Sequence, residues 1–312
     1  MTPEIKTFAP GKILLLGEHA VVYGHPALVA PITLGVTATL TQGEPRIIAS
    51  LLGVSFAPDE DCPQARNLDK ALRALFAVTG PLPGVLRLEG NLPLSRGLGS
   101  SAAVAVATAK AIWRFGGYQP STVELEHAAM QSEKVLHNNP SGVDAAASVR
   151  DQCFLFWRKT PPQIEAVTPL KKFSLTIVDT GERASTASLV AGIAKLRSED
   201  QTRVEGIMAA LGGLSQEAAG HLQRGELHEM GAAMDKGFVL LSSLGLSTPS
   251  LNKAAHLAKQ AGALGAKLTG AGGGGCLVAL SESEQTAHLR RQLRLAGLCV
   301  LETDISAQAL NH

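Results

Sequence analysis

Short apolar runs separated by glycine and proline open the chain. Ile13 to Leu16, Ala27 to Ala30 and Val36 to Leu40 are each too short for a helix, which predicts three strands. The period then changes. Residues 67 to 79 carry apolar positions at helical spacing, Val85 to Glu89 alternates like a strand, and Ser100 to Phe115 reads as a largely apolar helix stopped by Gly116-Gly117. Ser121 caps a further helix, Thr122 to about His137, which ends at Asn138-Asn139-Pro140. Cys153 to Trp157 is strand-like, and the proline-containing stretch behind it (Pro161, Pro162, Pro169) reads as a domain boundary. Beyond it come a strand at Leu175 to Val178 and four amphipathic helices near 186–197, 200–223, 226–243 and 249–262. A strand at Cys276 to Leu280, a helix near 284–296 and a strand at Cys299 to Glu302 complete the pattern. Strands and helices mixed in both halves without regular alternation predict an α+β chain of two domains, residues 1–168 and 169–312.

Composition narrows the classes of function. A hydrophobic fraction of 45% with 18% charged residues is that of an ordinary globular protein. Lys plus Arg number 28 against 27 Asp plus Glu, so no basic field points to nucleic acid or to an anionic membrane, and a small partner is expected. The first residues lack the basic and apolar regions of a secretory signal. The apolar segment from Ser101 to Ile112 is interrupted by Lys110 and is shorter than the roughly 20 residues of a bilayer span, so it predicts a buried helix. Cys62, Cys153, Cys276 and Cys299 are far apart with no C-x-x-C pair, which suits reduced thiols in the cytoplasm.

Three features carry candidate chemistry. In Leu92-Pro93-Leu-Ser-Arg96-Gly97-Leu98-Gly99-Ser100-Ser101-Ala102, a glycine-containing loop runs into an apolar helix. The first amides of such a helix are unpaired and its dipole is positive there, so a phosphate is the natural guest. Ser100 and Ser101 are candidate helix caps, and a hydroxyl there also suits magnesium held between phosphates. The same segment is equally consistent with a serine-capped core helix behind a flexible lead-in, and it is not a Walker A loop. The second feature, Thr269-Gly270-Ala271-Gly272-Gly273-Gly274-Gly275-Cys276, contains G-x-G-x-x-G, yet an apolar strand follows where a dinucleotide fold would start a helix. Glycine this dense implies close approach to a ligand or to another backbone, with the ligand favoured.

The third feature is a set of polar residues in apolar settings: Lys12, Glu18 and His19 around the first strand, then Glu133 and Asp144 flanking residues 138–143. Taken singly these are a turn lysine, a core histidine, a solvated helix glutamate and a helix cap. Together they supply what phosphoryl transfer to an alcohol needs: a metal ligand, a cation for developing charge and a carboxylate to accept a proton.

The stretch from Pro10-Gly11-Lys12 through Gly17-Glu18-His19-Ala20-Val21-Val22-Tyr23-Gly24, the loop Gly97 to Ala103, and Lys267 to Cys276 resemble, in order and over nearly the whole chain, the three signature motifs of the GHMP kinases. Within that superfamily GEHAVVYGHPAL and HNNPSGVDAA resemble mevalonate kinases. The resemblance implies an amino-terminal domain like ribosomal protein S5, a carboxy-terminal ferredoxin-like domain, an active site in the cleft between them, and Mg2+-ATP-dependent transfer of a phosphate to the 5-hydroxyl of mevalonate. Carried over by position, Asp144 is the catalytic base and Lys12 contacts both it and the acceptor hydroxyl. Pro93, Arg96, Gly97, Leu98, Gly99, Ser100, Ser101 and Ala102 cradle the nucleotide phosphates, and Ser101 and Glu133 hold the metal. Glu18, His19 and Thr186 face mevalonate with Gly270 and Ala271, and Arg158 is the candidate for its carboxylate, with Arg183 second. Relatives often form homodimers.

Two departures stand out. Gln152-Cys153 replaces a Gly-Gly that the family often shows, and Arg96 is a bulkier lead-in than the small residue of many relatives. Alternatives are another acceptor (phosphomevalonate, galactose, homoserine or a polyol) and a ligand-binding regulator without turnover. His19 argues against the former, and retention of Lys12, Glu133 and Asp144 argues against the latter.

Overall fold

A computed structural model describes residues 4–93, 96–137 and 140–305. Leu94, Ser95, Asn138 and Asn139, which belong to the motifs above, lie outside the described residues. The chain divides into two compact units, each assembled from separate segments.

The first unit comprises Met1–Lys12, Leu34–Ser95 and Gly99–Arg150. Its sheet is built on β2 (Ala27–Gln42), whose residues from Val36 onward run antiparallel to β5 (Gly84–Gly90). β3 (Arg46–Ala49) lies parallel to β5, and β4 (Val54–Phe56) closes against β3. Four helices accompany it: α1 (Arg66–Thr79), α2 (Ser100–Phe115), α3 (Thr122–Leu136) and α4 (Val143–Ser148). Every residue of α2 from Ala102 to Ala109 is buried, as the apolar run predicts. Alanine at 102, 103, 105, 107, 109 and 111 keeps the helix thin, so α1, α3 and α4 can pack against it. Lys110, the one charge in that run, reaches the Phe8 carbonyl of β1 (Glu4–Leu16). A capping box between Ser121 and Glu124 starts α3, and Ser132 Oγ donates to the Ala71 carbonyl, tying α3 to α1 at 2.7 Å.

The second unit comprises Ile13–Thr33, Arg96–Leu98 and Asp151–His312. Here the first residues of β2 pair with β6 (Cys153–Trp157), which forms a hairpin with β7 (Gln163–Val167). A separate four-stranded antiparallel sheet has the order β11–β8–β10–β9, with β8 Phe173–Asp179, β9 Gly265–Thr269, β10 Cys276–Ser281 and β11 Cys299–Ile305. Helices α5 (Thr186–Glu199), α6 (Gln201–Arg224), α7 (Leu227–Ser243), α8 (Pro249–Gln260) and α9 (Thr286–Leu295) accompany the sheet. Val178, Leu211, Leu241, Leu251, Leu268, Leu277 and Leu289 meet in its core. Each such side chain removed from water contributes about 1.5–3 kcal/mol.

The helices match the sequence pattern closely, and the strands do so less well. Ala27–Ala30 and Val36–Leu40 are one strand, β2, because the backbone stays extended through Pro31 and Gly35 while the partner strand changes. The proline-containing stretch after Trp157 is occupied by the β6–β7 hairpin. β3, β4, β7 and β9 are short strands to which the apolar pattern gave no signal.

Candidate active site

Within the first unit the Lys12 ammonium on β1 stands 3.0 Å from Asp144 Oδ1 in the first turn of α4. The lysine is nearly buried, whereas the Asp144 side chain keeps 33% of its exposure, so the carboxylate remains open to an incoming group. Gly142, with φ 85°, begins α4, and Asp144 follows it inside the helix rather than acting as its cap.

The start of α2 abuts the same pair. The capping position is Gly99, left-handed at φ 77°, and no side chain caps the helix. Ser100 and Ser101 therefore lie inside α2 instead of capping it, and its first amides have no side-chain partner among the described residues. A Cβ at position 99 would sit 3.0 Å from Lys12 Cγ and 3.5 Å from Asp144 Oδ1. Gly99→Ala is therefore expected to cost about 1–2 kcal/mol from the left-handed backbone alone. It should also displace the Lys12 stem, with thermal melts reading the first effect and turnover the second.

Glu133, on α3, is buried, and the Ser101 side chain lies near enough to its carboxyl to favour the ionised form. Its Oε1 has no hydrogen-bond partner among the described residues. Burial pushes the Glu133 carboxyl up to about 7 and the charge of Asp144 adds to this, while Ser101 and Lys12 pull the other way. A carboxyl raised from 4.5 to about 7 on folding makes the native state bind more protons between those values. That contribution to stability is present below the lower value and is lost as pH rises through the upper one. Melting temperature is thus expected to fall between about pH 5 and pH 8, and Glu133→Gln should flatten the fall.

In the second unit, the other two motif regions converge on the glycine-rich loop. His19 Nε2 lies 2.9 Å from the Ala271 carbonyl, and a Cβ on Gly97 would be 3.4 Å from the Gly270 Cα. His19 itself has φ 59° and ψ −44°, a sparsely populated backbone closed by the Ala20 N–H on the Glu18 carbonyl at 2.6 Å, which costs a non-glycine residue about 1–3 kcal/mol. Burial lowers its pKa, and its bond to Ala271 offsets part of that shift. Glu18 is fully buried, and its carboxylate is ion-paired with Lys267 on β9.

Most of the glycines in that loop answer to neighbouring protein atoms rather than to open space. A Cβ at Gly272 would meet the Leu246 carbonyl at 2.6 Å, at Gly273 the Ala184 Cβ at 2.8 Å, and at Gly274 the Glu182 Cβ at 2.6 Å. Arg96 is committed nearby: its Nε lies 2.9 Å from Asp179 Oδ2, and Nη1 donates to the Glu182 carbonyl at 3.0 Å. The Glu182 carboxylate accepts from Thr248 and Ser250 at 2.7 Å each. Thr186 is the exposed first residue of α5, which Ser185 caps. Arg158, just after β6, is half-buried, and Arg183 is exposed.

The family model described as GHMP kinases N terminal domain matches residues 66–152, and that described as GHMP kinases C terminal matches residues 218–296. The mevalonate kinase of Aeropyrum pernix is 33% identical over 290 residues, covering 90% of this chain and 89% of that protein. The chain belongs to the mevalonate kinases of the GHMP kinase family. The mevalonate kinase of Pyrococcus furiosus is likewise 33% identical, over 97% of this chain and 96% of its own length. The crystal structure of the L. major mevalonate kinase in complex with R-mevalonate superposes with a TM-score of 0.84 at 25% identity, covering 99% of this chain and 98% of that one. The α+β GHMP kinase fold expected from the motifs is thus the fold of this family member.

Sequence reasoning about this mevalonate kinase family member missed Lys267, Asp179 and Glu182 as structural partners of the motif residues. Lys267 left only a weak signal, a lone charge between Ala266 and Leu268, because the strand that buries it, β9, was itself not legible. Asp179 and Glu182 left none, because acidic residues around a glycine turn ordinarily face solvent.

Proposed function

We propose that this protein phosphorylates mevalonate, transferring the γ-phosphate of ATP to the 5-hydroxyl. The observation that carries the reading is the Lys12–Asp144 pair set against Gly99 at the uncapped start of α2. In this reading residues 1–168 carry the phosphate loop and the catalytic pair, and residues 169–312 the glycine-rich segment. The α2 amides and the backbone from Pro93 and Arg96 to Ala102 receive the nucleotide phosphates. Arg96 acts by steadying that loop, since its guanidinium is already held by Asp179 and Glu182.

The acceptor oxygen attacks the γ-phosphorus, the bond to the β–γ bridging oxygen breaks, and ADP leaves with the electron pair. Asp144 orients the hydroxyl and takes its proton, and the Lys12 ammonium stabilises the charge that develops on the oxygen. The donors around Glu133 suit a hard cation, because a buried carboxyl oxygen lacks a hydrogen-bond partner and a serine hydroxyl adjoins the same carboxyl. Mg2+ held by Ser101 and Glu133 would supply charge neutralisation to the phosphates. Arg158 and His19 attend mevalonate, with Thr186, Gly270 and Ala271 beside them.

The test is a coupled ADP-release assay with purified protein, ATP and Mg2+ over mevalonate, phosphomevalonate, galactose and homoserine. Mevalonate should be consumed with a kcat/KM at least about a hundredfold above the others. Preference for another alcohol, or no ATP-dependent turnover of any, would remove the reading. Mg2+ at pH 8 should also raise the melting temperature of the parent more than that of Glu133→Gln.

A further inference from the structure

Lys267 is the one charged residue of β9 and is fully buried, as is its ion-pair partner Glu18. A buried ammonium is tolerated only with a full set of acceptors, and replacing such a pair by apolar side chains is often neutral for stability. Its presence therefore calls for a reason other than stability. Lys267 Nζ donates to the Glu18 carboxylate and to the Leu268 carbonyl at 2.6 Å, with the Leu14 carbonyl at 3.5 Å. Thr269 Oγ1, two residues along β9, also lies 3.3 Å from the Leu14 carbonyl. The ammonium thus joins the end of β1, the turn after it and the root of the glycine-rich loop.

The residue held between these anchors is His19. Its backbone is strained at φ 59° and ψ −44°, and its ring is tied to Ala271. A carbonyl only accepts, so Nε2 carries the proton in that bond and Nδ1 is left as an acceptor.

We propose that Lys267 is a positioning residue for His19. By anchoring the Glu18 carboxylate, it holds His19 in its strained positive-φ turn with Nε2–H on the Ala271 carbonyl, so that Nδ1 is presented as a fixed acceptor for a hydroxyl of the substrate. The part that concerns substrate rests on the mevalonate kinase reading above; the part that concerns the histidine ring does not. Glu18 acts through its neighbour and does not touch substrate.

The test uses the full chain as the double variant Glu18→Met with Lys267→Met, which removes both charges together and leaves neither stranded. Two readouts are taken: KM for mevalonate and for ATP, and the 15N ring shifts of His19, assigned by comparison with His19→Gln. The parent should show a neutral ring protonated at Nε2. The folded double variant should lose that fixed signal and raise KM for mevalonate by about tenfold or more, with KM for ATP within about twofold. A folded double variant with an unchanged His19 signal overturns the proposal, whether or not the parent uses mevalonate. If the ring signal changes in a parent that does not phosphorylate mevalonate, the positioning role stands and the substrate assignment falls. Should the double variant fail to fold, Glu18→Gln takes its place under the same readouts, and failure of both to fold assigns the pair to stability and overturns the proposal.

Discussion

Asp144→Ala should lower turnover of mevalonate by about a thousandfold while leaving nucleotide binding within a fewfold of the parent. The expectation follows from position: the carboxylate is the partly open member of the Lys12–Asp144 pair, so it is the one able to meet an acceptor hydroxyl. Removing it takes away the proton acceptor and leaves Lys12 nearly buried beside a cavity, which also loosens the cation meant for the developing alkoxide. Neither effect removes the α2 amides, which are backbone groups. Initial rates with saturating ATP, alongside a nucleotide titration, separate the two. A variant as fast as the parent would remove the catalytic assignment. A variant that no longer binds nucleotide would move Asp144 from the transfer step to the nucleotide site.

Lys267→Met alone should be among the most destabilising single changes in the chain, by about 3–5 kcal/mol. It strands the fully buried Glu18 carboxylate, whose partner on β9 is gone. For a chain of this size that corresponds to a fall of about 5–8 °C in melting temperature. Adding Glu18→Met should recover most of it, because the loss comes from an unpaired charge and not from missing packing volume. The measurement is a pair of thermal melts. If the single variant melts with the parent, Glu18 carries no charge that needs Lys267.

The contrast between these two sites shows where sequence reading succeeds. Lys12, Glu133 and Asp144 each have an ordinary reading when taken singly, and it is their joint occurrence, with the Gly97 to Ala103 loop that holds Ser101 and the other GHMP motifs, that marks them in the sequence. Their meeting around Gly99 is implied only by the family resemblance, since nothing local to residues 12, 99, 133 or 144 says that β1, α2, α3 and α4 bring them together. Ser101 illustrates the limit: a serine at the start of a helix reads as a cap, yet the left-handed Gly99 takes that position and Ser101 lies inside the helix near the Glu133 carboxyl.

The glycine-rich loop shows it from the other side. Its density of glycine marked close approach, but only the fold shows that Leu246, Ala184 and Glu182 are what Gly272, Gly273 and Gly274 approach. Arg96 looked free to meet a phosphate and instead holds Asp179 and the Glu182 carbonyl.

The helices, the α+β class and the family were therefore determined by the sequence itself, because capping, hydrophobic period and contiguous motifs are local properties that a few neighbouring residues fix. Short strands such as β3, β4, β7 and β9, the Lys267–Glu18 pair and the environment that drives the Glu133 carboxyl up to about 7 were decided only by tertiary structure. The physical reason is that strand pairing, desolvation and charge pairing depend on what residues distant in the chain bring into contact, and no window of sequence contains both partners.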